Sequence, residues 1–231
     1  MKKNCIITAF LFILSATASA QTSTQRIYIK GGNSAWENFM KEIFRNPDFE
    51  QGIVEYRNGQ LFKSNMNYNK VLGTIQFIDE KGDTLAITNE ESISSINIGD
   101  DVFIYAPNCL LLLKKSDKAT LYKNEMVRIA DKLKTGGYGI PNTAGTIESI
   151  DRIDTKLNYN QIDINESLLI SKVTTFYIEN QKGEILTASK KNVLNMYSKH
   201  EDAIKSFIKS YGLDFTKEDH LIELTVFLST L

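Results

Sequence analysis

The sequence predicts an α+β fold, in which an antiparallel β-rich body has a short N-terminal amphipathic helix before it and a C-terminal helical tail after it. Residues 49–188 contain short apolar stretches separated by polar turns, the pattern of antiparallel strands. Residues 33–46 and 189–231 carry apolar side chains three and four positions apart, as amphipathic helices do. We therefore divide the chain into a signal peptide at 1–20, an N-terminal segment at 21–48, the body at 49–188 and a tail packed on the body at 189–231.

The first twenty residues have the features of a cleavable export signal. Lys2 and Lys3 precede an apolar run at 5–14, and Ala18-Ser19-Ala20 supplies the small side chains that signal peptidase accepts. The run is too short for a transmembrane helix, which needs about 20 apolar residues, and no later segment is long and apolar enough. Position 21 is Gln and not Cys, so we expect no lipid anchor. The sequence predicts cleavage between Ala20 and Gln21 and a periplasmic or secreted location.

Composition argues against a nucleic-acid partner and against disulfide bonds. The chain has 27 lysines and arginines, two of them in the predicted signal, against 28 acidic residues. This near balance lacks the basic excess of nucleic-acid-binding proteins. Cys5 leaves with the signal, so Cys109 has no partner for an intramolecular disulfide.

Three hairpins are predicted in the first half of the body. Their turns are Arg57-Asn58-Gly59-Gln60, residues 79–83 and residues 99–101. Asn-Gly is typical of a type I′ turn, in which both central residues have positive φ. Residues 119–134 fit either a strand pair or one irregular helix. Residues 77–83 resemble 177–184, a likeness that we attribute to chance or shared hairpin chemistry.

The predicted helices have amphipathic faces. Ser34 and Glu37 fit a capping box before the apolar face of the N-terminal helix. We interpret this face as the cover of one end of a sheet, and a partner- or membrane-docking helix is the alternative. The tail contains three short helices; Gly212 is placed to end the second and Thr216 with Asp219 to cap the third.

No metal, cofactor or nucleotide motif is present. His200, His220 and Cys109 have no ligand spacing typical of zinc. Asp79, Glu80 and Asp83 are close enough for calcium but lack the spacing of a calcium loop, so we favour a solvated hairpin turn. We expect no cofactor and no metal site.

No catalytic residue can be assigned either. Cys109 begins a run of leucines, where burial keeps a thiol neutral. The charged neighbours of His200 and His220 suggest exposed helix ends and not a general base. The glycine-rich loop from Gly136 to Gly145 is either a mobile ligand-contacting loop or a surface crossover, and we favour the crossover.

Several short stretches resemble a group of uncharacterised exported proteins typical of Bacteroidota. They are Gly52-Ile53-Val54, Asn58-Gly59, Asn67-Tyr68-Asn69, Ile98-Gly99-Asp100, Gly137-Tyr138-Gly139 and the ending at 207–219. The resemblance implies a Gram-negative, periplasmic or surface protein, and it brings no activity or site residue with it.

Two functions are compatible with these observations. The favoured one is a non-catalytic exported binding protein or cell-envelope accessory protein, whose partner is an envelope component or another protein. The alternative is a periplasmic or secreted hydrolase that cleaves a polymer with carboxylates that the sequence does not single out.

Overall fold

The computed structural model describes residues 22–30, 35–135, 141–142 and 167–231. Its strands are β1 Thr22–Ile29, β2 Glu50–Tyr56, β3 Leu61–Asn69, β4 Thr74–Ile78, β5 Thr84–Ala86, β6 Ile93–Ile98, β7 Asp101–Tyr105, β8 Cys109–Lys115, β9 Ala119–Thr135, β10 Pro141–Asn142, β11 Ser167–Asn180 and β12 Ile185–Thr187. Its helices are α1 Ala35–Ile43, α2 Lys190–Met196, α3 Glu201–Tyr211 and α4 Glu218–Ser229. One antiparallel sheet with four helices confirms the α+β class.

The sheet has the strand order β1-β11-β9-β8-β7-β6-β2-β3-β4-β5, with β10 beside β9 and β12 beside β11. The run from β9 to β3 curves back on itself. At the end of β3, Val127 N donates to Lys70 O (2.9 Å) and the Tyr68 hydroxyl donates to Glu125 O (3.0 Å). These bonds join two strands that are far apart in the sheet order, so the first half of the body encloses its own core.

Three hairpins share one turn geometry. In the first, Gly59 N donates to Tyr56 O and Tyr56 N donates to Gln60 O, both at 2.9 Å, and only Gly59 has positive φ (83°). The hairpin lies where the sequence predicted it, but the type I′ prediction is wrong. The loop has one residue more than the two-residue loop of a type I′ turn, so only its last residue, Gly59, must be left-handed. The Asn58 carboxamide oxygen accepts a hydrogen bond from Gln60 N (2.9 Å).

The turns at Asp79–Asp83 and Asn180–Glu184 repeat this pattern. Gly82 (φ 86°) and Gly183 (φ 78°) hold the left-handed positions. The first side chain of each turn, Asp79 or Asn180, accepts from main-chain N–H groups two and four residues later. Shared hairpin chemistry therefore accounts for the likeness between residues 77–83 and 177–184.

The ambiguous stretch at 119–134 is a single long strand, β9, and neither a strand pair nor a helix. It pairs with β8 on one side and with β11 along most of its length on the other. Its long partner β11 pairs with it from Ala119 to Leu133, so the backbone of β9 is hydrogen-bonded without a turn, which the sequence of β9 alone does not show. The strand β1 was not predicted from the sequence. It pairs with β11 from Thr22↔Thr175 to Ile29↔Leu168.

Side-chain caps at the helix ends follow the sequence only in part. Ser189 caps α2 by accepting from Asn192 N (3.3 Å), and Gly212 ends α3 with φ 65°. The predicted cap of α4 is wrong, since Lys217 occupies the N-cap position without a side-chain bond. The Thr216 hydroxyl instead donates to Asp214 Oδ1 (2.7 Å). Ser34, the predicted cap of the N-terminal helix, lies outside the described residues.

The tail helices complete one of three hydrophobic clusters. Phe176 and Ile178 of β11 and Leu121 of β9 pack with buried residues of all three tail helices, among them Val193, Ile204, Leu221, Leu224 and Leu228. A second cluster fills the curved first half of the body around Val54, Ile75 and Ile96. The third lies between β1, α1 and the strands β9 and β11.

Candidate functional site

A pocket of about 400 Å³ lies where two hairpin turns meet the tail helices, and we call it the turn–helix pocket. The turn before β9 contributes Lys118, and the turn between β11 and β12 contributes Asn180, Gln181 and Lys182. The end of α2 and the short 3₁₀ helix after it contribute residues 196–200, and α4 with its C-terminal end contributes Leu228 and Leu231. Its volume is in the range of small-ligand pockets, about 300–1,000 Å³.

Hydrogen bonds between these elements hold the pocket in shape. The Tyr197 hydroxyl donates to Lys118 O (2.8 Å), which joins the end of α2 to the turn before β9. Gln181 Nε2 donates to Asp117 O (3.4 Å), which joins the two turns. Each turn is closed by its own main-chain bonds. The pocket is therefore built on turns and helices that are hydrogen-bonded to each other.

The pocket combines an apolar floor with a basic rim. Met196, the Tyr197 ring, Leu228 and Leu231 form the apolar part, and Leu228 is fully buried. Lys118, Lys182 and Lys199 each come from a different element. No acidic side chain is among the described lining residues, so the side chains of the lining carry a positive excess. Tyr197 stays a hydrogen-bond donor, because burial and the Glu179 carboxylate raise its pKa to about 12.

Acidic neighbours of the pocket are engaged elsewhere. Glu184 accepts from the Asn180 side chain (3.0 Å), and Glu179 accepts from the Tyr122 hydroxyl (2.7 Å). Glu201, which follows His200, pairs with Lys205 at 2.6 Å. None of these three carboxylates forms an ion pair with a lysine of the rim.

A second concavity lies inside the curved part of the sheet, where charged groups are partly buried. Glu125 Oε1 lies 3.7 Å from Lys70 Nζ and 3.2 Å from Lys172 Nζ. Burial lowers the pKa of Lys70, and Glu125 opposes this shift. The cavity beside them measures about 10 Å³, which is room for one water molecule. It is too small for an organic ligand, so we interpret this charge cluster as structural.

Two further ion pairs join this region to its neighbours. Arg45 forms a bidentate ion pair with Asp101, in which Nη2 lies 2.9 Å from Oδ1. The hydrogen bond to Asp101 raises the pKa of Arg45. Lys123 Nζ lies 2.8 Å from Glu218 Oε2 and ties β9 to α4.

Cys109 is 2% exposed and lies in β8. Burial raises the pKa of its thiol well above the usual range. A neutral, enclosed thiol is a poor nucleophile. Among the described residues its hydrogen-bond partner is Tyr105, and no histidine is hydrogen-bonded to it.

The two histidines lie apart. His200 is exposed at the rim of the turn–helix pocket. His220 lies in the first turn of α4, where its Nδ1 accepts from Asp214 N (3.0 Å) and its ring meets the ring of Tyr211 edge-on. The hydrogen bond occupies the nitrogen that a general base would use, so His220 has a structural role.

The calcium alternative at Asp79, Glu80 and Asp83 receives no support. Asp79 Oδ1 already accepts from Lys81 N and Asp83 N, which closes the turn. Within the described residues, no group of three or more His, Cys, Asp or Glu side chains is arranged to hold a metal ion.

Most of the glycine-rich loop from Gly136 to Gly145 lies outside the described residues, apart from Pro141 and Asn142, which pair with β9. Sequence reasoning singled out His200 but missed the other pocket residues. Their convergence depends on which turns lie side by side, and no local motif signals that.

In the described part of the chain, no helix has the length and apolar character needed to cross a membrane. No family model, curated protein or solved structure matches this chain.

Proposed function

We propose that this protein is an exported, non-catalytic binding protein of the cell envelope, with the turn–helix pocket as its ligand site. The observation that carries the proposal is a ligand-sized pocket whose lining offers lysines, amides, a hydroxyl and apolar side chains. These groups recognise a ligand by charge, hydrogen bonding and burial. They do not form a nucleophile with an adjacent base, nor two facing carboxylates.

Export is supported by the sequence of the first twenty residues and by the resemblance to exported proteins of Bacteroidota. The first strand is compatible with cleavage at the predicted point. β1 begins at Thr22, so removal of residues 1–20 leaves all its pairs with β11 in place. The mature protein would therefore keep the whole described sheet.

A pocket-filling variant tests the binding site. Ser198 is exposed and lines the pocket, so Ser198→Trp should fill it without disturbing the core. We expect ligand-observed NMR with a panel of small charged and amphipathic fragments to give hits on the protein without residues 1–20. Those hits should disappear with Ser198→Trp.

The matched control is Ser206→Trp, which places the same side chain on an exposed position of α3 outside the pocket. This variant should retain all hits, and both variants should keep the melting temperature of the parent. Fragments that bind Ser198→Trp as well as the parent would place the ligand site elsewhere and refute the proposal.

A further inference from the structure

We propose that the turn–helix pocket binds an acidic segment of a partner protein, with one apolar side chain of that segment on the pocket floor. This inference rests on the proposed function and names the class of ligand that the pocket accepts. It is drawn from the charges, the hydrogen-bonding groups and the shape of the lining.

The charges favour a ligand with more than one carboxylate. Lys118, Lys182 and Lys199 line the pocket from three different elements, so three cationic side chains are available to one ligand. In the described part of the chain none of the three forms an ion pair, whereas Lys70, Lys123, Lys172 and Lys205 all do. Three separate lysines can pair with several carboxylates spaced along a peptide, whereas a single anionic lipid headgroup would leave some of them unpaired.

The polar groups of the lining suit a peptide main chain. Gln181 donates only one long bond, to Asp117 O, and its carboxamide oxygen makes none with the described residues. Ser198 adds an exposed hydroxyl. An amide and a hydroxyl can both donate and accept, as the alternating N–H and C=O groups of a peptide require.

The apolar floor is small and open, which favours one anchoring side chain over a lipid tail. Met196 and Leu231 are partly exposed beside the buried Leu228. Met adapts its shape to different apolar partners. An acyl chain would need a longer enclosed channel, whereas a single leucine-sized side chain needs only such a patch.

A peptide titration tests the inference. The probe is a fluorescein-labelled peptide Asp-Glu-Leu-Asp-Glu with blocked ends, titrated with the protein lacking residues 1–20 and followed by anisotropy. Its charge-reversed counterpart is Lys-Arg-Leu-Lys-Arg. We expect the acidic peptide to bind, the basic one not to bind, and the affinity to fall as salt is added.

Charge reversal on the protein locates the site. Lys182→Glu combined with Lys199→Glu should weaken the acidic peptide about tenfold, because each change removes an attraction and adds a repulsion. The control combines Lys190→Glu with Lys191→Glu, which makes the same change in net charge on α2 outside the lining. Screening over about 8 Å at physiological salt should keep the effect of the control within about twofold. All four positions are on the surface, and unchanged melting temperatures will show that the variants fold.

Several results would overturn the inference. Equal weakening by both double variants would show diffuse surface attraction, and equal binding of the basic peptide would show no charge selection. Binding to phosphatidylglycerol vesicles without binding to the peptide would replace a protein partner by a lipid surface. If the peptide fails while fragments occupy the pocket, the inference falls and the proposed function stands. If the fragments do not bind the pocket either, both the inference and the proposed function are refuted.

Discussion

Burial determines the protonation of several ionisable residues in the curved part of the sheet. Cys109 and Tyr68 face the same small cavity as Lys70 and Glu125. Burial raises the pKa values of the Cys109 thiol and the Tyr68 hydroxyl and lowers that of the Lys70 ammonium, so all three shifts favour the neutral form. With room for one water molecule, the cavity is too small for an organic substrate, and we interpret the groups around it as structural.

Cys109 should react slowly with a thiol reagent in the native protein. It is 2% exposed and its thiol is held neutral, so neither access nor ionisation favours attack. Labelling with Ellman's reagent at neutral pH, with the urea-unfolded protein as the control, measures this directly. Labelling of the native protein as fast as that of the unfolded one would contradict the buried position. Cys109→Ser should leave fragment binding unchanged.

Removing the charge of Lys70 and removing the charge of Glu125 should have different effects on the free energy of unfolding. Lys70→Met leaves Glu125 its pair with Lys172 and removes a buried cation, so the free energy of unfolding should change by no more than about 1 kcal/mol. Glu125→Gln leaves two lysines facing each other, which should cost about 3 kcal/mol. Urea unfolding compares the two variants, and an equal loss in both would contradict this account of the cluster.

The same pair gives a pH prediction with a defined sign. Because the pKa of Lys70 is lower in the folded state than its usual 10.5, the unfolded chain binds more protons just below pH 10.5. Wild type should therefore gain stability relative to Lys70→Met as the pH rises toward 10.5. Urea midpoints of both proteins between pH 8 and about 10 measure the difference, and a difference that moves in the opposite direction would refute the shift.

The helix α4 closes the hydrophobic cluster that the tail helices form with β9 and β11. It lies against β8 and β9, and Leu221, Leu224 and Leu228 are each at most 1% exposed. Phe227 also stacks face to face on Phe207 of α3, with ring centroids 4.2 Å apart. The helix thus covers strands and a neighbouring helix, and its C-terminal end forms one wall of the turn–helix pocket.

Truncation after Gly212 should leave an aggregating or protease-sensitive protein. Each buried leucine of α4 contributes roughly 1.5–3 kcal/mol, and the strands beneath would be exposed. Size-exclusion chromatography and limited proteolysis measure the outcome. A truncated chain that stays monomeric with an unchanged melting temperature would show that α4 is a separate module.

A pair of point variants tests the same helix without removing it. Leu224→Ala should lower the free energy of unfolding by about 2–5 kcal/mol, because the side chain is fully buried. Val226→Ala on the exposed face, where the side chain is 40% exposed, should change it by no more than about 0.5 kcal/mol.

Local elements could be predicted from the sequence, and their partners could not. The hairpins at Gly59, Gly82 and Gly99 and the end of α3 at Gly212 depend on neighbouring residues, so glycine and apolar spacing reveal them. The pairing of Thr22 with Thr175 depends on residues far apart in the chain, and neither strand has a local pattern that predicts its partner. The pocket has the same origin, since its lining extends from Lys118 to Leu231.

The proposed export of the chain predicts a defined N-terminus. Protein isolated from the cell envelope should begin at Gln21, one residue before β1. N-terminal sequencing or intact mass measures this. An intact Met1 on the exported protein would contradict cleavage between Ala20 and Gln21, and an N-terminal cysteine would indicate a lipid anchor instead.

We propose that this fold presents a built ligand site at the junction of two hairpin turns and the tail. The most direct measurement is an amide-resolved NMR titration of the protein lacking residues 1–20 with the fragment panel. We predict that shift changes cluster at Lys118, residues 180–182 and residues 196–200, while the amides around Glu125 and Cys109 do not move. Shift changes centred on the Glu125 cavity, or none at the turn–helix pocket, would contradict the claim.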